Sequence, residues 1–66
     1  MIYVIKDGNC ESLFGYEVDI TGPIPKTLVV HKDGEEREVD VDRVLLDTPT
    51  RKVVQNSNYT AYLRKK

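Results

Sequence analysis

The sequence predicts an all-β fold: a small, strongly bent antiparallel barrel of five to six short strands around a central Asp-Gly hairpin. Three observations carry this expectation. Apolar residues recur with a period of two, as a half-buried strand requires. No segment has the i, i+3, i+4, i+7 spacing of a long amphipathic helix. Gly, Pro, Asn and Asp punctuate the chain at short intervals, leaving room only for short strands. With 66 residues the chain forms one small domain spanning 1–66, with a basic C-terminal end. A chain of this size buries only about 60% of the surface it exposes when unfolded.

Taken in order, MIYVI (Met1 to Ile5) reads as an opening strand with apolar residues on both faces, and Asp7-Gly8-Asn9 as the turn after it. FGYEVDI places Phe14, Tyr16, Val18 and Ile20 on one face and Gly15, Glu17 and Asp19 on the other. TGPIPK then breaks the pattern: Pro23 and Pro25 cannot donate to a ladder and hold their neighbours extended, which predicts a loop or an edge.

The stretch TLVVHKDGEEREVDV, Thr27 to Val41, is the strongest local signal. Asp33-Gly34 suits a type I′ turn, whose two central residues both need positive φ. A two-residue turn sets Leu28 opposite Val39, Val30 opposite Arg37 and His31 opposite Glu36. Leu28, Val30, Val39 and Val41 then share the buried face, while Glu36, Glu38, Asp40 and Asp42 align on the other. A three-residue loop would oppose Leu28 to Glu38, so burial decides the register.

After the hairpin, RVLLDTPT brings Val44, Leu45 and Leu46 and stops at Thr48-Pro49. This apolar run either closes the strand or makes one 3₁₀ turn that plugs the end of the barrel. The last segment, RKVVQNSNYTAYLRKK, holds two β-prone runs around the polar turn QNSN. Tyr59, Ala61 and Leu63 share one face there; Thr60, Tyr62 and Arg64 share the other.

In architecture this plan resembles an SH3-like barrel, with a long bent second strand, a tight central hairpin and a short turn after VDVDRVLL. The resemblance concerns arrangement alone, and such folds host many unrelated functions. An OB-like barrel is the next arrangement, but its connecting helix has no segment here.

The net charge of −1 hides an asymmetry. Residues 1–33 carry three basic and five acidic side chains, residues 34–47 two and six, and residues 48–66 five and none. The lone Cys10 cannot form an intramolecular disulfide, and a single His gives no zinc-finger spacing. MIYVI is too short for a secretory signal or a membrane span, so the expected setting is the cytoplasm, away from membranes.

Catalytic constellations are absent. Cys10 has no activating signature, Ser12 and Ser57 lack a strained elbow, and the four glycines are too scattered to cradle a phosphate. The sequence therefore predicts a non-enzymatic module without cofactor, metal or small-molecule substrate. The carboxylates of Glu36, Glu38, Asp40 and Asp42 stand roughly 7 Å apart along the strand, wide for one ion. They read as a hydrated face or as an acidic surface for a protein partner.

Two binding readings follow. In the first, the domain is a protein-interaction or regulatory module, or self-associates, through a sheet edge, the acidic face, or its tyrosines Tyr3, Tyr16, Tyr59 and Tyr62. In the second, Arg51, Lys52, Arg64, Lys65 and Lys66 meet nucleic-acid phosphates while Tyr59 or Tyr62 stacks on a base. A pI of 5.7 weighs against the second.

Overall fold

The structure, a computed structural model describing Met1 to Lys66, is one antiparallel sheet of seven strands rather than five or six. The strands are β1 (Ile2–Gly8), β2 (Glu17–Asp19), β3 (Thr27–Lys32), β4 (Glu35–Asp40), β5 (Arg43–Asp47), β6 (Arg51–Gln55) and β7 (Thr60–Lys65). Their spatial order is β4-β3-β2-β1-β7-β6-β5. The count exceeds the expectation because the Val44–Leu46 run forms a strand of its own.

The sheet is curled into a half-barrel, and the chain itself holds the curl. Its two outermost strands, β4 and β5, are consecutive in sequence, so only Val41 and Asp42 separate one edge from the other. At this corner the Val41 N–H donates to the Lys26 carbonyl at 2.7 Å, and the Asp42 N–H to the Gln55 carbonyl at 2.9 Å. Asn56 Nδ2 donates to the Asp40 carbonyl at 2.8 Å. A flat sheet of seven strands would hold its edges tens of ångströms apart, given about 4.8 Å between neighbours. Two intervening residues cannot span that distance.

β3 and β4 pair with Lys32 opposite Glu35, His31 opposite Glu36, Val30 opposite Arg37 and Leu28 opposite Val39. Asp33 and Gly34, at φ +52° and +84°, reverse the chain between them. Leu28, Val30 and Val39 are buried, while Val29, His31, Glu36, Glu38 and Asp40 are exposed. Val41 falls beyond the end of β4 and is half-buried against the core.

β2 is only three residues long, not a long bent strand. Tyr16, Val18 and Ile20 still alternate inward, and Phe14 is half-buried. Between β1 and β2 the chain makes a single 3₁₀ turn, Glu11–Leu13, that tucks Leu13 into the core. The 3₁₀ turn therefore lies here and not at Val44–Leu46.

The core is lopsided. Tyr3, Ile5, Cys10, Leu13, Tyr16, Val18, Ile20, Leu28, Val30, Val39, Val54, Ala61 and Leu63 form one cluster. β6 contributes only Val54, and β5 contributes nothing. β6 therefore borders the core, and β5, outside it, leaves all of its residues exposed.

Candidate protein-binding edge

A sheet edge presents unpaired N–H and C=O groups, and soluble proteins usually blunt such edges with charge. The β4 edge is blunted in this way. Its sequence, EEREVD, exposes every side chain except Val39. Glu36, Glu38 and Asp40 stand exposed in line on one face, and none takes part in an ion pair. Asp42 lies past the strand end, in the corner between the two edges. No three His, Cys, Asp or Glu side chains gather closely enough to hold a metal ion. Glu35, by contrast, is engaged: it accepts a 2.9 Å hydrogen bond from the Tyr16 hydroxyl, which holds that phenol's pKa above its ordinary value.

The β5 edge is different. Its sequence, RVLLD, places three successive apolar side chains between one cation and one anion. Val44, Leu45 and Leu46 are 47%, 51% and 41% exposed. Val44 lies opposite Val54 and Leu46 opposite Val53, consecutive residues that face opposite sides of β6, so both faces of this strand are apolar and wet. β5 pairs with β6 through Arg43–Gln55, Val44–Val54, Leu46–Val53 and Asp47–Lys52. Leu45 has no partner, so the strand bulges there. No strand covers the other side of β5.

Next to this edge, the outer face of β6 and β7 forms a shallow groove. Leu46, Val53 and Tyr62 supply its apolar floor, and Lys6, Arg51 and Arg64 its cationic rim. Tyr62 is 47% exposed. Arg51 and Arg64 sit directly opposite each other in register. Like charges so placed repel.

The structure thus brings four of the cationic-end candidates, Arg51, Lys52, Tyr62 and Arg64, to the lining of this groove and leaves three outside. Lys52 is buried, at 6% exposure, with its ammonium hydrogen-bonded to Asp47 and 5.2 Å from the centre of the Tyr3 ring. The hydrogen bond to Asp47 is the main reason its pKa is raised. Buried and paired, it cannot meet a phosphate. Tyr59 is half-buried and packs against the core. Lys65 has the opposite parity to Tyr62 and Arg64, and Lys66 is bonded to Glu17.

Tyr3 shows why Lys52 is held inside. The Tyr3 hydroxyl donates to the Pro49 carbonyl at 2.9 Å, fixing the β5–β6 turn over the end of the core. The Lys52 ammonium then lies between the Tyr3 ring and Asp47, and also donates to the Thr48 carbonyl at 3.3 Å. These bonds join the last residue of β5 to the body of the molecule. Tyr16 is buried as well, with Lys32 and Arg37 stacked 5.8 Å and 5.7 Å from its ring centre.

Sequence reasoning missed Leu45 and Leu46 as surface residues, and Lys6 as a neighbour of Arg51. The available signal was an uninterrupted apolar run bounded by Arg43 and Asp47, with no alternation to mark an inner face. No helix is long and apolar enough to cross a membrane. Comparison with known protein families, curated proteins and solved structures finds no match.

Proposed function

We propose that this chain is a non-enzymatic protein-interaction module whose binding element is the β5 edge, where an extended segment of a partner adds as an eighth strand. The observation that supports this most is the contrast between the two edges. One is guarded by carboxylates, and the other exposes Val44, Leu45 and Leu46 beside an open backbone row. In strand addition, main-chain hydrogen bonds supply affinity and alternate side chains supply selectivity. A cytoplasmic setting belongs to the same reading, supported by the single, unpaired Cys10.

The test is a photo-crosslinking residue placed at position 45, with position 38 on the guarded edge as control, in the native host or its lysate. A single discrete adduct from position 45, absent from position 38, is the expected outcome. Equal labelling from both positions, or none from either, rejects the reading.

A second reading has its own support in the facing pair Arg51 and Arg64 beside Tyr62. An anionic strand laid in this groove relieves their repulsion, and its bases find an exposed ring to stack on. Under this reading, Arg51→Glu together with Arg64→Glu abolishes retention of a single-stranded oligonucleotide, and binding falls steeply with salt. Retention unchanged by both substitutions excludes it.

A further inference from the structure

We propose that the extended segment completing the β5 edge is an acidic peptide, with one carboxylate opposite Arg43, one beside Arg51, and an apolar residue between them opposite Leu46. This rests on the reading of β5 as the binding edge and names the chemistry of its occupant.

Charge is sorted across the outer face of the sheet. One row of opposed residues crosses it, from Glu36 on β4 through His31, Glu17, Val4 and Arg64 to Arg51 on β6. Opposed residues point to the same side of a sheet, so this row is acidic at the β4 end and cationic beside β5. Two more cations join that end. Lys6 lines the groove with Arg51 and Arg64. Arg43 stands opposite Gln55, two residues along β6 from Val53, and so shares the outer side with it. Lys6, Arg43, Arg51 and Arg64 are all exposed, and none forms an ion pair within the chain. Asp7 is the one exposed carboxylate in the groove lining that leaves Lys52 alone.

The pairing with β6 settles what β5 presents to an eighth strand. Leu45 is the extra residue of the bulge, so the faces are read from the paired positions. Arg43 and Leu46 oppose Gln55 and Val53 on the outer side, whereas Val44 and Asp47 oppose Val54 and Lys52 on the core side. Next along the outer side comes Arg51, whose carbonyl accepts the Thr48 N–H at 2.9 Å. The Thr48 side chain is short, and its hydroxyl is bonded to the Arg51 main chain, which leaves the Arg51 guanidinium within reach of the edge.

The outer side of the edge therefore presents cation, apolar, cation. A regular strand that alternates acid, apolar, acid on the same side complements it. Its core-side residues meet Val44 and Asp47, which an apolar and a hydroxyl side chain suit. The same segment is repelled from the other edge by Glu35, Glu36, Glu38 and Asp40. A nucleic acid satisfies the cations but has no peptide groups with which to extend the β5 ladder.

The experiment is fluorescence polarisation of the full chain with three labelled peptides, with circular dichroism to verify folding. The first has the core Glu-Thr-Val-Val-Glu, which runs antiparallel to β5 from Thr48 to Arg43. The second replaces both Glu with Lys, and the third has the order Glu-Glu-Thr-Val-Val. The first is expected to bind, and the other two at least about tenfold more weakly. Arg43→Glu together with Arg51→Glu, both at exposed positions, is expected to invert the preference, so that the Lys peptide binds better than the Glu peptide. Equal binding of the first peptide and either control, or a double variant that still prefers the Glu peptide, overturns the proposal. If the photo-crosslinker at position 45 captures a partner while the Glu peptide is not preferred, the edge stands and its acidic occupant falls. If it captures nothing and no peptide binds, both fall. A single-stranded oligonucleotide retained where no peptide binds, and lost on Arg51→Glu with Arg64→Glu, assigns the groove to nucleic acid and likewise overturns the proposal.

Discussion

Replacing Gly8 with Ala tests how tightly β1 and β7 are locked together. Gly8 has φ +113°, a conformation L side chains rarely adopt, and a Cβ built there lies 2.1 Å from the Thr60 carbonyl oxygen. Ordinary contact begins near 3.4 Å, so that carbonyl must retreat by more than 1 Å. It is not free to do so, because it accepts the Asn9 N–H at 3.2 Å and the Thr60 N–H donates to Asn9 Oδ1 at 2.7 Å. The unfavourable φ costs about 1–2 kcal/mol. Disturbing the hydrogen bonds around Thr60 costs about 1–3 kcal/mol more. A loss of about 3 kcal/mol corresponds to a fall of about 12–24 °C in Tm for a domain of this size. Gly34→Ala is the control, since its φ of +84° is comparable but nothing lies within 4 Å of the added carbon. It should lose only about 1–2 kcal/mol, the backbone part. Urea denaturation followed by circular dichroism measures both. Equal losses within about 0.5 kcal/mol, well under the disturbance expected around Thr60, would show that the approach to Thr60 is not what constrains this position.

Three other consequences are open to measurement. Lys52→Ala removes a buried ammonium together with its bonds to Asp47 and Thr48, and should cost about 1–2 kcal/mol in urea denaturation; no loss would contradict the latch at the β5–β6 turn. Lys52 and Tyr16 both have pKa values raised above their ordinary 10.5 and 10.0, so the stability they contribute is complete below those values and disappears as pH rises through the folded-state pKa. Thermal stability should accordingly fall on the alkaline side, and Glu35→Gln should move the Tyr16 phenolate transition, followed by ultraviolet absorbance, to lower pH. Burial pushes the Cys10 thiol pKa up and shields it, so a thiol reagent should label the native chain far more slowly than the urea-unfolded chain; equal rates would place Cys10 outside the core.

How much of this was legible in the sequence depended on whether a segment declares an inner face. The all-β class did, through alternation in FGYEVDI and in YTAYL, where Tyr16, Val18, Ile20, Ala61 and Leu63 are all buried. RVLLD did not, because three apolar residues in a row fit either a buried strand or a covered turn. Its exposure follows from where the core ends, which is a property of the whole sheet. Lys52 was equally opaque. A lysine in a basic segment reads as solvated, and its burial depends on Asp47 across the turn and on Tyr3 from the far end of the chain. The acidic residues Glu36, Glu38 and Asp40 stand in line, but their alignment reports strand parity and says nothing about a ligand. The groove beside Tyr62 needed Lys6, a residue brought near by the irregular register between β1 and β7.

The corner at Val41 and Asp42 has an implication for how the chain finds its shape. The Lys66 N–H donates to the Ile2 carbonyl at 3.0 Å, so the two termini are neighbours on adjacent strands. Joining them and opening the backbone between Val41 and Asp42 would yield a polypeptide running β5-β6-β7-β1-β2-β3-β4, the spatial order of the sheet read from one side to the other. Every ladder in that rearranged molecule would link consecutive strands. The natural topology is therefore a simple meander cut at its middle, and its one long-distance closure, β1 onto β7, is the entropic toll that separates it from the fast-folding local design.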